Sequence, residues 1–366
     1  MPLVRHAIEP FVQNAYETSS AHAGLMVQRG LIVWEEGKKS KKKRHLDSIC
    51  AIKPDDLYLL AFQRWQEATL SEHHSTWCAK IEGKLMMGLE LGGALETGMI
   101  TQHSYGMPMI PGSSIKGVVR HYADRIGLDK KITTILFGND ENIEGIEAGA
   151  GCLIWHDAWW IPNKTQSPFV RDVVSVHHQK YYSGDKKLAT DTENPIPNDQ
   201  LAVSGSFYFV IEGEPKWANF AKELLKQALQ TQGIGGKTAA GYGFFAEDKE
   251  VEAKLASEKE RKLRQQSMAG LSTFQIEIED FKKELDSNRK SWVDNPSDGK
   301  FSGYYNKVMQ WQDASADDYR YAYEQLFDHD NYGTKWKGTK LSKAKGKKGK
   351  VGWIEKMLAI KAKFEK

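Results

Sequence analysis

Gly233-Ile-Gly-Gly-Lys-Thr-Ala-Ala-Gly-Tyr-Gly243 decides how the rest of this chain is read. The Gly-Lys-Thr inside it invites a nucleotide-binding reading, because a P-loop lysine reaches the phosphates of a bound nucleotide. Its surroundings refuse that reading. A P-loop leads from a strand into a helix, whereas this stretch follows an apolar helical stripe and runs into an aromatic strand. A P-loop also needs a glycine five positions before the one preceding lysine, and here that position is Thr231. What remains is a flexible loop between helix and strand. Gly235 and Gly236 let a ligand backbone come close, while Lys237 supplies a charge and Tyr242 a stacking ring. Those residue types point to nucleic acid.

Upstream of the loop, Trp217, Phe220, Ala221, Leu224, Leu225, Ala228 and Leu229 form a continuous apolar stripe at helical spacing. Pro215 stands near its start and Gly233 at its C′ position. Residues 203–212 alternate as a strand, 173–182 read as extended, 152–160 as a short apolar strand, and 79–91 as another strand. Between 79–91 and 152–160 lies Ile110-Pro-Gly-Ser-Ser-Ile-Lys-Gly117, in which Ser113 or Ser114 is a natural N-cap. Ile115, Val118, Val119, Tyr122, Ala123 and Ile126 then share one helical face. With the closing strand at 241–246, the order is strand, helix, strand, strand, helix, strand. This predicts an α+β, ferredoxin-like βαββαβ domain over residues 79–248. That plan packs two helices on one sheet face and leaves the other face open, as RNA-recognition modules present it to single strands.

Around this domain, residues 1–78 read as an N-terminal helical segment, with helices at 14–35 and 55–70 and a basic block from Lys38 to Arg44 that is expected to be exposed and mobile. Residues 249–366 read as a helical C-terminal extension, with a capping-box pattern opening at Ser272 and aromatics such as Tyr304, Tyr305 and Trp311 that argue for packing. The 366 residues are 40% hydrophobic and carry a net charge of only +3, so charge as a whole demands no polyanion. Cys50, Cys78 and Cys152 are odd in number and widely spaced, which excludes a disulfide framework and a cysteine metal knuckle. No window is apolar over a membrane span, and a cytoplasmic protein without a membrane partner is expected.

Two groups of residues could carry chemistry besides the glycine loop. Glycine, hydroxyls and open backbone N–H groups at 110–117 make an anion site of a helix start, and Lys116 and Arg120, four apart, share a face toward phosphate. His177 and His178 follow one another in extended chain, so their rings point to opposite sides and do not ligate one metal. Either is a candidate to stack on a base or to act as a general base in RNA cleavage. Asp157, Asp172, Asp185 and Asp191 are scattered. No constellation converges, so no catalytic residue, metal or cofactor is expected.

In these two glycine motifs the chain resembles the RAMP superfamily of CRISPR effector proteins: the 110–117 segment is similar to the family's helix start, and 233–243 to its C-terminal glycine-rich loop. His177-His-Gln-Lys-Tyr-Tyr182 between them is similar to the backbone-capping subunit of type III-B Cmr complexes. The resemblance covers about residues 79–248. It implies a non-catalytic RNA-binding subunit near the 3′ end of a CRISPR RNA (crRNA). Implied partners are the crRNA, the repeated backbone RAMP subunit, the small helical subunit and another RAMP protein, with target RNA met indirectly. The implied RNA-binding residues are Ser113, Ser114, Lys116, Arg120, His177, His178, Gly235, Gly236, Lys237 and Tyr242. The alternative is a RAMP endoribonuclease that processes CRISPR repeat RNA with a histidine base.

Overall fold

The computed structural model describes residues 2–34, 39–95, 98–143, 145–176, 179–185, 187–189, 196–287, 299–327, 356 and 358–365. The chain divides into two compact units, Met1–Arg261 and Lys262–Lys366. The first opens with four helices: α1 (Glu9–Thr18), α2 (Ala23–Arg29), α3 (Lys39–Cys50) and α4 (Asp56–Ala68). Then come β1 (His74–Glu82), β2 (Met109–Ile110), α5 (Gly112–Arg125) and α6 (Lys130–Phe137). Short strands β3 (Gly138–Asn139), β4 (Gly149–Ala150), β5 (Ile154–Trp155) and β6 (Ala158–Trp160) lead to β7 (Phe169–Val176), α7 (Gln179–Tyr182) and β8 (Ile196–Val203). The unit is completed by β9 (Ser206–Glu212), α8 (Pro215–Thr231), β10 (Phe244–Glu247) and the first turns of α9 (Lys249–Met268).

The main sheet has the order β10-β1-β9-β6-β2, with β5 also paired to β9 and every ladder antiparallel. Its path β10-β1-β9-β6 is the 4-1-3-2 order of the ferredoxin-like plan, so the expected βαββαβ arrangement is present. Side chains alternate across the pleat. On one face Trp77, Ala79, Ile81, Phe207, Phe209, Ile211 and Phe245 meet the buried stripes of α5 (Ile115, Val119, Ala123) and α8 (Ala218, Ala221, Leu225, Ala228, Leu229) in one core. Each large side chain so buried contributes about 1.5–3 kcal/mol relative to exposure.

The second face is not open, and here the expectation is corrected. Phe207, Tyr208, Phe209, Val210 and Ile211 are all buried, so β9 lacks the alternation of a one-sided strand. The even-numbered residues Cys78, Tyr208 and Val210 form their own cluster with Phe62 and Trp65 of α4 and Val251 and Leu255 of α9. Phe62 meets Tyr208 edge-on at 5.9 Å, and Trp65 stacks on Trp159 at 5.9 Å. The Tyr208 hydroxyl lies 2.9 Å from Thr69 Oγ1, just past α4. At the start of α9, Glu252 accepts the Cys78 N–H at 2.6 Å. Helices from either side of the ferredoxin-like segment therefore seal the surface on which an RNA-recognition module would stack bases.

Other boundaries shift for local reasons. The strand expected at 79–91 is His74–Glu82, ended by Gly83 at φ 82°. The helix expected at 14–35 is two helices, broken at Ser19, whose φ is 53°, and restarted by His22, whose Nδ1 caps Leu25 N–H. The 152–160 strand is β5 and β6, and 173–182 gives way to the β7–β8 hairpin, a sheet of its own. The basic block, expected to be mobile, forms the first turns of α3 from Lys39 onward. Its next turns bury Leu46 and Ile49, and Lys42 Nζ donates to Asn198 Oδ1 at 2.9 Å.

His45 in α3 is 1% exposed. Its Nε2 lies 3.0 Å from the Met26 carbonyl and its Nδ1 2.8 Å from the Tyr16 hydroxyl. A neutral ring donates from Nε2 to the Met26 carbonyl, while its Nδ1 and the Gly30 carbonyl, 2.9 Å from the Tyr16 hydroxyl, compete for that hydroxyl's single proton. Burial pushes its pKa down to about 4, partly offset by the Met26 carbonyl.

The second unit is built by helices Thr273–Ser287, Gly299–Met309 and Ala316–Ala322 around Ile278, Phe281, Leu285, Val308, Tyr319, Leu326 and Ile360. The capping box at Ser272 forms: Gln275 N–H donates to Ser272 Oγ at 3.2 Å, and Ser272 N–H to Gln275 Oε1 at 3.4 Å. A second box joins Ser315 and Asp318. Burial would raise the Asp318 carboxyl, but hydrogen bonds from Ser272 and Ser315 outweigh it and hold the carboxyl below its usual range.

His45 gives stability a defined pH dependence. The unfolded ring titrates near 6.5 and the folded ring near 4, so only the unfolded state takes up the proton in between. The stabilisation is fully present above pH 6.5 and is lost as pH falls toward 4, up to about 3 kcal/mol. Urea unfolding of the wild type and of His45→Gln across that window measures it: the variant should show the shallower loss, and parallel curves would refute the assignment.

Candidate functional site

The 110–117 segment begins α5, but its serines do not cap it. Pro111 occupies the N-cap position with no side-chain cap, and Ser113 and Ser114 lie in the first turn, exposed and half-buried. The capping acceptor comes from elsewhere: Asp157, between β5 and β6, accepts the Gly112 N–H at 2.8 Å. Gly112 is required because a Cβ there would sit 1.9 Å from the Trp155 carbonyl oxygen. A carboxylate thus already meets this helix start, which weakens it as an anion site. Lys116, half-buried, and Arg120, exposed, project one turn apart along α5.

The glycine loop leaves α8 through Gly233 at φ 70°. Its main chain is pinned to the segment after β1: Gly236 N–H donates to the Met86 carbonyl at 2.7 Å, and Gly243 N–H to that of Lys84 at 2.9 Å. It also closes on itself, with Ile234 N–H donating to the Gly243 carbonyl at 2.9 Å. These approaches leave no room for Cβ at Gly235, 2.4 Å from the Met86 oxygen, or at Gly243, 1.9 Å from that of Ile234. The glycines therefore serve the loop's own anchoring. Lys237, exposed at φ 62°, stands beyond this anchored part and starts a short 3-10 turn, Thr238–Ala240.

Tyr242 is tethered. Its hydroxyl donates to Asp172 Oδ2 at 2.7 Å, and Lys84 Nζ meets the other carboxylate oxygen at 2.9 Å. Burial would raise the Asp172 carboxyl, but the Lys84 and Tyr242 hydrogen bonds outweigh it and hold it below its ordinary range. Through Asp172 the loop is joined to the β7–β8 hairpin. The hairpin is held to α3 by Arg171, which reaches Asp47 at 3.1 Å and Asp199 at 3.0 Å. The α5 motif and the glycine loop share α8 as their common support: Tyr122 of α5 donates to Gln227 Oε1 at 2.8 Å, and the loop continues from the same helix. His177 and His178 lie outside the described residues.

A different constellation is assembled by the fold. His74 opens β1, Glu212 closes β9 as its cross-strand partner, and Ile154 of β5 pairs with Glu212 from the other side. His156, just past β5, reaches Glu212 Oε2 with Nε2 at 2.8 Å, while His74 Nε2 lies 3.6 Å from the same oxygen. Among the described residues these three form a group with ligand atoms within 4.8 Å of one another. Ser71 Oγ holds His74 Nδ1 at 2.7 Å, and the Trp65 ring lies edge-on to His156 at 5.1 Å. Burial lowers the His74 pKa against the opposing pull of Glu212, with His156, Lys259 and His73 pushing the same way as burial. Sequence reading passed over this group because its members stand far apart. The signal available was a polar residue at each end of two strands whose neighbours are apolar.

Residues 79–246 match the RAMP superfamily. The CRISPR system Cmr subunit Cmr6 of Pyrococcus furiosus is 26% identical over 252 residues, covering 52% of this chain and 73% of that protein. The CRISPR system CMR subunit Cmr6 of Saccharolobus solfataricus is 30% identical over 148 residues, which is 38% of this chain and 44% of that one. A chain in the cryo-EM structure of the type III-B Cmr-beta complex bound to cognate target RNA is 18% identical, with TM-score 0.47, covering 68% of this chain and 92% of that chain.

The anchoring geometry separates two loop glycines of similar φ. Gly243→Ala brings both a positive-φ strain of about 1–3 kcal/mol and a backbone collision, whereas Gly241→Ala, with open space around its Cβ, brings the strain alone. Thermal unfolding should show the larger loss for Gly243→Ala. Equal losses would mean that the loop is not pinned as described.

Proposed function

We propose that this chain, whose residues 79–246 match the RAMP superfamily and which is similar to Cmr6 proteins, is a non-catalytic RNA-binding subunit of a type III-B CRISPR effector complex, capping the backbone near the 3′ end of the crRNA. Its partners in this reading are the crRNA, the repeated backbone RAMP subunit, the small helical subunit and another RAMP protein. Target RNA is met through the complex rather than by this chain alone.

The observation that carries the reading is the glycine loop, whose buried anchor points are spent on Lys84 and Met86 while Lys237 is presented to solvent. A rigid loop that displays a cation suits contact with a phosphate backbone, which is common to every guide sequence. Lys116 and Arg120 add two further cations on α5. The covered second sheet face argues against base stacking there and in favour of contact through loops and helix faces. Among the described residues no helix is long and apolar enough to cross a membrane.

Truncation of these cations to alanine tests the surface. Lys116→Ala with Arg120→Ala should weaken association with single-stranded RNA uniformly across sequences. It should also reduce the salt slope by about 0.7 for each phosphate that is no longer neutralised. Lys237→Ala should act in the same way, and an unchanged slope removes the residue from the RNA surface. Purifying the chain with its operon partners and sequencing the bound RNA should return short guides sharing a repeat-derived 5′ tag. Cleavage of repeat RNA by the chain alone, leaving 2′,3′-cyclic phosphate ends and abolished in His177→Ala or His178→Ala, would replace this reading with the endoribonuclease.

A further inference from the structure

We propose that His74, His156 and Glu212 form a binding site for a divalent transition-metal ion of the Zn2+ type. The three side chains come from adjacent strands at one end of the main sheet, so the β1–β9 and β5–β9 ladders fix their spacing. A tetrahedral ion with bonds near 2.0–2.1 Å needs donor atoms roughly 3.3 Å apart. The carboxylate oxygen lies 2.8 Å from His156 Nε2 and 3.6 Å from His74 Nε2, and all three donors lie within 4.8 Å of one another, so side-chain rotation is what brings them to that spacing.

The donor set selects the metal. Two imidazoles and one carboxylate suit Zn2+, Co2+ or Ni2+, whereas Mg2+ and Ca2+ ask for oxygen ligands alone. Metal-bound histidines commonly give their second ring N–H to a neighbouring acceptor, which fixes the tautomer. Ser71 Oγ stands in that position at 2.7 Å from His74 Nδ1, leaving Nε2 with its lone pair toward Glu212. His156 Nε2 donates to Glu212 at 2.8 Å, and binding of the ion displaces that proton, so that the carboxylate and the two imidazoles turn lone pairs toward one point. All three residues are partly buried rather than enclosed, so a fourth position is open to water or another small ligand. With one carboxylate against a doubly charged ion and Lys259 close enough to act on His74, that position favours an anionic ligand such as hydroxide or a phosphate oxygen. The site is separate from the glycine loop and does not depend on the RNA-binding reading.

The full chain, without a histidine tag, is equilibrated with Zn2+, desalted and assayed for metal, and titrated with Co2+ by visible absorption. One equivalent of Zn2+ and the absorption of tetrahedral Co2+ are expected, together with a rise in the thermal midpoint that Mg2+ does not give. His156→Gln and the near-isosteric Glu212→Gln should each weaken Co2+ binding at least about tenfold, and Ser71→Ala about tenfold through removal of the orienting partner. His73→Gln, next in sequence but outside the group, should leave binding unchanged. Substoichiometric metal in the wild type, or equal affinity in wild type, His156→Gln and Glu212→Gln, overturns the proposal. So does a His73→Gln loss as large as that of His156→Gln.

Discussion

The first unit depends on the pairing of β1 with β9, a strand buried on both faces. Their ladder runs from His74 opposite Glu212 to Lys80 opposite Ser206; Trp77, Ala79, Phe207, Phe209 and Ile211 enter one core, while Cys78, Tyr208 and Val210 enter another. A strand buried on both faces has no solvent side to which it can slip, so its register is held by packing above and below. Everything with a candidate role hangs from that fixed pair. Glycine-loop anchors follow the end of β1, α5 is positioned by the β5–β6 corner beside β9, and the histidine–glutamate group closes the opposite end of the same ladder.

Charge is distributed with equal economy. Asp157 and Asp172, which looked like stray carboxylates in the sequence, each hold a motif in place: one accepts the first N–H of α5, the other fastens Tyr242 and Lys84. The acidic groups beside both glycine motifs are thus structural. Lys116, Arg120 and Lys237 are left facing outward from supports that are already neutralised within. Under the proposed function, such a surface would meet a polyanion by position of charge rather than by base identity, as a backbone-directed contact requires.

The parts of the fold legible in the sequence were those whose signal is local. The α8 stripe, its Pro215 start and the Gly233 exit can be read from one continuous stretch, and the two glycine motifs carry the family resemblance by themselves. The cover on the second sheet face could not be read, because Phe62 and Leu255 reach Tyr208 from distant parts of the chain. Residues 203–212 read correctly as a strand but not as one buried on both faces, and the polar opening His74-Ser-Thr76 hid the start of β1. Ser113 and Ser114 were reasonable caps on residue type alone, but Pro111 takes the cap position and Asp157 supplies the acceptor from another element. The metal-type group was hidden for the same reason as the cover: strand pairing creates it, and no spacing along the chain announces it.

The sealed second face separates two meanings of the word domain. The segment that matches the RAMP superfamily, 79–246, stops short of α4 on one side and of α9 on the other. Cut out along those limits, it would lose the first half of β1, His74 to Cys78, and lay bare Tyr208 and Val210. The matched segment is therefore smaller than the packed unit, because α4 and α9, which cover Tyr208 and Val210, both lie outside it.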